Sequence, residues 1–263
     1  RSPASPSLVF NGRANEVLAT DLVGGGADFD GDGLHDLALA RRGYGGGFKL
    51  LVGRPGMGVM DAVEVPAPNP ARESARTTLA AGDVNGDGRS DLLYLTGTND
   101  MPMMPGLLAV WPGTTRGVAT APTETLESPP GTDFLLGMRA GESSGDTLAE
   151  VLVTERQRCG TSDSLRSVIF SGTRSGGLVR SAAAIDTSGA IGIGRSAAFN
   201  GDVDGDGFGD FAISARQVRV YGFGGFGLLR GGPRGWATGA VRFVAFRDLF
   251  RPAGSEQRNE VCD

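Results

Sequence analysis

Asp28-Phe29-Asp30-Gly31-Asp32-Gly33-Leu34-His35-Asp36 is the stretch on which the reading of this chain turns. Carboxylates occupy its first, third, fifth and ninth places, and glycines at the fourth and sixth let the backbone turn tightly enough for alternate side chains to converge. The pattern returns as Asp83-Val84-Asn85-Gly86-Asp87-Gly88-Arg89-Ser90-Asp91 and as Asp202-Val203-Asp204-Gly205-Asp206-Gly207-Phe208-Gly209-Asp210. A worn copy, Glu142-Ser143-Ser144-Gly145-Asp146-Thr147-Leu148-Ala149-Glu150, keeps acids at the first, fifth and ninth places. Successive copies start 55, 59 and 60 residues apart, the length of one four-stranded supersecondary unit. A single Asp-Gly turn would be a polar turn and nothing more. Near-complete copies at a fixed period are a repeat.

Each loop is followed by a short apolar run: 37–40, 92–95, 151–153 and 211–213. These runs are too brief for helices and are bounded by polar residues or glycine, so they read as strands. Strands also precede the loops, as at 77–81 and 196–199, so each acidic loop joins two strands of a hairpin. A third element recurs as an apolar run closed by glycine, at 48–53, 108–113, 167–172 and 217–222. A fourth strand is expected between that glycine and the next hairpin.

The chain ends read as halves of one more unit. Ser7-Leu8-Val9-Phe10-Asn11-Gly12 resembles the third-strand element Ser167-Val168-Ile169-Phe170-Ser171-Gly172, and 241–248 resembles the strand leading into a loop. The whole chain, 1–263, is therefore expected to be one all-β domain. Its repeats start near 28, 83, 142 and 202, and a composite fifth sheet is drawn from 1–27 and 241–263. Stitching the last sheet from both termini would leave a ring of sheets without an open seam. The alternatives are a fragment of a larger ring, a four-unit ring, or a ring completed by another chain.

The loops are rich in hard oxygen ligands. The expected ion is Ca2+, since Mg2+ demands stricter octahedral geometry and no soft ligand is present for a transition metal. The ligands would be Asp28, Asp30, Asp32, Asp36 and the Leu34 carbonyl in the first loop. In the second they would be Asp83, Asn85, Asp87, Asp91 and the Arg89 carbonyl. In the fourth they would be Asp202, Asp204, Asp206, Asp210 and the Phe208 carbonyl. The third loop, with Glu142, Ser144, Asp146, Leu148 and Glu150, is expected to bind weakly, because Ser144 replaces a strong ligand and Thr147 a turn glycine. An EF-hand is excluded, since its twelfth place needs a bidentate Glu within a helix. That place is here Leu39, Tyr94 or Ile213. The loops hold 14 of the chain's 30 acids, and three bound Ca2+ would move the formal net charge from -5 to +1.

These D-x-[DN]-x-D-G-x-x-D loops between short apolar strands resemble the FG-GAP repeats of the integrin alpha-chain propeller and its bacterial relatives. The resemblance implies a β-propeller with calcium in the hairpin between the first two strands of each blade, in a secreted or cell-surface protein that serves adhesion or ligand binding. The chain departs from integrins in having too few repeats for seven blades. Weak calcium sites would also stand empty in a calcium-poor cytosol, which again points to secretion or the cell surface.

The remaining inventory narrows the function. Lys49 is the one lysine, and the arginines are scattered rather than striped, which excludes a nucleic-acid surface. No apolar stretch is long enough for a membrane span. Cys159 and Cys262 have no metal-ligand spacing, and falling in non-adjacent units they are not expected to bridge. The one histidine, His35, fills the eighth place of the first loop as a solvated turn residue. General acid-base chemistry is thus poorly supplied, and a non-enzymatic module binding a protein or glycan is expected. Trp236, in a glycine-rich stretch, is the candidate ligand contact, ahead of Trp111 and Tyr221. A lectin is the more concrete version, a part of a secreted polysaccharide-active enzyme the competing one, and further domains of a longer parent chain remain open.

Overall fold

The computed structural model describes residues 14, 16–23, 26–42, 46–56, 58–69, 77–97, 105–159, 162–181, 185, 190–218, 223–233 and 242–245. They form four four-stranded antiparallel sheets, each strand beside its neighbour in sequence. Sheet one comprises β1 (Val17–Val23), β2 (Leu37–Arg42), β3 (Phe48–Arg54) and β4 (Gly58–Val65). Sheet two comprises β5 (Thr77–Gly82), β6 (Asp91–Thr96), β7 (Leu107–Trp111) and, after a small hairpin of β8 (Gly113–Thr114) and β9 (Gly117–Val118), β10 (Glu124–Glu127). Sheet three comprises β11 (Thr132–Glu142), β12 (Ala149–Cys159), β13 (Ser162–Gly172) and β14 (Leu178–Arg180). Sheet four comprises β15 (Ala190–Gly201), β16 (Asp210–Val218), β17 (Phe223–Leu229) and β18 (Arg242–Ala245). Every acidic loop joins the first and second strands of its sheet, as the repeats predict. Four-stranded meanders stacked in series are the blades of a β-propeller.

The sheets pack face to face in chain order, and this explains the uninterrupted apolar runs. In β6, Leu92 and Tyr94 face sheet one while Leu93 and Leu95 face sheet three. A strand covered on both faces has no solvent side on which to alternate. Between sheets one and two, Trp111 meets Phe48 edge-on at 5.3 Å, and within sheet two it meets Tyr94 at 5.7 Å. Within sheet four, the cross-strand pair Phe199 and Phe211 meets at 5.1 Å, packed with Leu152 and Ile169 of sheet three. Each such buried side chain contributes about 1.5–3 kcal/mol.

The sheets also interlock through backbone at the loops. The amide of the eighth loop residue donates to the carbonyl of the first residue in the preceding loop, from Ser90 to Asp28 at 2.8 Å and from Ala149 to Asp83 at 2.7 Å. Beside it, the residue after the closing glycine donates to the second residue's carbonyl, from Thr114 to Phe29 at 3.1 Å and from Gly232 to Ser143 at 2.9 Å. The closing glycines are needed because the two backbones nearly touch. A β-carbon on Gly113 would lie 2.9 Å from the Phe29 oxygen and one on Gly231 2.5 Å from the Ser143 oxygen, while one on Gly172 would overlap the Val84 carbonyl. The next sheet thus covers the second loop residue. Phe29, Val84 and Ser143 are each 0% exposed, and Val203 in the last sheet is 55% exposed.

Two expectations are corrected. The third strand of sheet four is Phe223–Leu229, closed by Gly231, whereas 217–222 begins in β16, whose last residue is Val218. Arg242–Ala245 is the fourth strand of sheet four, paired with β17, and Val17–Val23 is the first strand of sheet one, so neither belongs to a composite fifth sheet. Of the rest of that unit, 1–13, 15, 24–25, 241 and 246–263 lie outside the described residues.

Gly172→Ala is expected to force the third sheet off the second loop and to cost about 1–3 kcal/mol. Thermal melting should then show a loss of several degrees. An unchanged melting temperature would mean that the close approach is not a constraint.

Candidate functional site

The loops are built from within by carboxylates that accept main-chain amides. In the first loop, Asp28 Oδ1 accepts from Gly31 N at 2.7 Å and Oδ2 from Gly33 N at 2.9 Å. Asp83 and Asp202 repeat this with Gly86 and Gly88 and with Gly205 and Gly207. The fifth residue accepts from the seventh in all four loops, at 2.8 Å for Leu34 and Asp32, 2.9 Å for Arg89 and Asp87, 2.8 Å for Leu148 and Asp146, and 3.0 Å for Phe208 and Asp206. The turn requires left-handed backbone at the fourth and sixth places, with φ of 76° at Gly31 and 83° at Gly33. In the third loop the sixth place is Thr147, at φ 74°. A β-branched residue there stores about 1–2 kcal/mol of strain.

The ninth carboxylate ties the hairpin to the third strand. Asp36 accepts from Phe29 N and Gly53 N, both at 2.7 Å. Asp91 accepts from Val84 N at 2.9 Å and Gly113 N at 2.8 Å, and Asp210 from Val203 N at 2.9 Å and Gly231 N at 3.0 Å. All three are buried. In the third loop Glu150 accepts from the Ser143 amide at 2.9 Å and from its hydroxyl at 2.6 Å. Burial pushes the carboxyls of Asp36 and Glu150 upward and that of Asp91 up to about 6, opposed by amide hydrogen bonds and, at Glu150, first by the Ser143 hydroxyl, with the neighbouring loop acids adding to the rise.

The expected ligands are brought together in part. In the first loop, oxygens of Asp28, Asp30 and Asp36 lie within 4.8 Å of one another, and in the fourth those of Asp202, Asp204 and Asp210 do so. Asp32 and Asp206 stand outside these groups, turned to the seventh-place amides. The second loop gathers no such trio, having neutral Asn85 at its third place with Nδ2 on Asp91 Oδ1 at 3.2 Å. Nor does the third, where the Glu142 carboxylate is taken up by Ser144 and Gly145 amides. An oxygen-only donor set of this charge fits a hard divalent cation. Asp28, Asp30 and Asp36, and their counterparts in the fourth loop, are the residues that would hold it.

Other candidates separate cleanly. Trp111 is 1% exposed in the core and is unavailable to a ligand. His35 is exposed beside Asp36. Trp236, Tyr221 and Cys262 lie outside the described residues, and Cys159 ends β12. Two residues that sequence reasoning missed stand against the acids. Arg54 Nη1 lies 2.9 Å from Asp30 Oδ2 and 3.3 Å from Asp32 Oδ2, and Arg230 Nε lies 3.2 Å from Asp204 Oδ2. Each adjoins a closing glycine, a signal that recognition of Gly231 would have exposed.

Residues 28–94 match the family model described as an FG-GAP-like repeat. No curated protein gives a significant match. Among solved structures, AofleA from Arthrobotrys oligospora is similar at 14% identity and a TM-score of 0.49, over 85% of this chain and 56% of that one. The chain therefore spans little more than half the length of that protein.

Asp91→Ala leaves two buried amides without an acceptor and should cost about 2–4 kcal/mol, with or without divalent cations, by urea unfolding. An effect seen only with calcium present would mean that the residue acts through the ion alone. The same group sets a pH response in the cation-free protein. Its folded pKa lies above the ordinary carboxylate value, so the folded state holds the extra proton and stability falls as pH rises from about 4 to about 6. Melting temperature against pH in EDTA should show this decline, and Asp91→Ala should flatten it.

Proposed function

We propose that this chain is a calcium-stabilised, non-enzymatic propeller module that binds a protein or glycan ligand outside the cell. The observation that carries the calcium reading is the convergence of first, third and ninth carboxylates within 4.8 Å in loops one and four. The FG-GAP-like match over residues 28–94, which includes the first of these loops, supports it. Calcium would supply charge neutralisation there, and the chain's own residues do the rest. Asp28 and Asp202 shape the turns, and Asp36 and Asp210 hold the turns to the third strands.

This role is structural, in that the same loops present carbonyls to the next sheet, so a loop fixed in shape fixes its neighbour. Recognition would fall to connections carried by this rigid stack. The non-enzymatic reading rests on the chemistry present: one exposed histidine, and loop carboxylates engaged by main-chain amides. Sites of the affinity typical of extracellular modules would fill only where calcium is plentiful, which supports a secreted or cell-surface setting.

At calcium ten times above Kd, each occupied loop adds about 1.4 kcal/mol, so two loops add about 3 kcal/mol. Melting in EDTA and then in millimolar calcium should show a rise of about 5–10 °C, together with two bound calcium ions by elemental analysis. No shift and no bound metal would reject the reading. A glycan array run beside a protein-binding screen then separates the two ligand classes.

A further inference from the structure

Four loops share one plan, but guanidinium groups do not accompany them evenly. Arg54 sits on the third-place Asp30 of the first loop and also donates to the Gly53 carbonyl at 3.0 Å, and Arg230 sits on the third-place Asp204 of the fourth. The second and third loops have neutral Asn85 and Ser144 at that place, and among the described residues no ion pair is formed there. Arg89 of the second loop pairs instead with the fifth-place Asp87, at 3.4 Å. The two arginines come from different positions, one just after a closing glycine and one just before, so they are not a by-product of the repeat. They track the extra negative charge.

Three carboxylates drawn within 4.8 Å repel one another. Main-chain amides hold the first and ninth of them, and a nearby positive charge would ease the repulsion at the third. We propose that Arg54 and Arg230 are positioning residues for the cation sites, acting as internal counter-charges. They hold the third-place carboxylates of loops one and four while no ion is bound, and they give way when one arrives. This rests on the calcium reading above and goes beyond it, because it makes two residues outside the loops the determinants of affinity. Displacing a paired guanidinium opposes binding, so these loops trade affinity for shape in the free state. Arg54 should dominate, since its partner Asp30 is only 4% exposed at the side chain, whereas Arg230 is itself 63% exposed and therefore well screened.

The test is calorimetric titration of calcium chloride into the full chain, freed of metal, with the melting temperature in EDTA measured in parallel. Arg54→Ala is expected to tighten one site by about three- to tenfold and to lower the EDTA melting temperature by a few degrees, with Arg230→Ala acting in the same direction by about twofold. Arg42→Ala removes the same charge about 20 Å along β2 from Asp36 and should change neither quantity. Arg54→Gln, which keeps a donor without the charge, serves if the alanine variant does not fold, with the same expectation. Unchanged or weaker binding in the Arg54 variants, or equal tightening in Arg42→Ala, overturns the inference while leaving the calcium reading in place. Absence of calcium binding in the wild-type chain overturns both.

Discussion

The structure depends on a buried carboxylate that accepts two main-chain amides at once. Asp36, Asp91 and Asp210 each join the second residue of an acidic loop to the closing glycine of the third strand. One side chain therefore holds a hairpin, the strand beside it and the turn between them in a fixed relation. The cost is desolvation of a charge, visible in the raised pKa of Asp36 and Asp91. Two amide donors offset it in part.

The acidic loops were legible in the sequence because residue type and spacing recur together. Acid at the first and ninth places recurs in all four loops and glycine at the sixth in three; the acids, read as cation ligands, also accept the main-chain amides that shape the turn. Strands β2, β3, β6 and β7 were legible for a second reason: covered on both faces, they read as unbroken apolar runs. Sheet four was less readable. Its third strand, Phe223-Gly-Gly-Phe-Gly-Leu-Leu229, is diluted by glycine, so Gly222 imitated the closing residue and Gly231 was passed over. Spacing held the answer, since Gly231 lies 29 residues after Asp202, close to the 25, 30 and 30 of the other sheets.

Fourth strands were the hardest to place, because they are the outermost and the least constrained by packing. Glu124–Glu127 alternates half-buried and exposed positions, and Arg242–Ala245 carries no feature that distinguishes it from a first strand. The ion pairs of Arg54 and Arg230 were invisible for a different reason. They depend on which strand ends the fold carries to the loops, and the one local sign, an arginine beside a closing glycine, required Gly231 to be recognised as such.

The interlock between sheets has a direction. Carbonyls of one loop receive amides from the sheet that comes later in the chain, as Asp28 receives Ser90 and Asp83 receives Ala149. On a ribosome, a chain built this way can grow like overlapping roof tiles. Each finished tile exposes the acceptors that the following one will use.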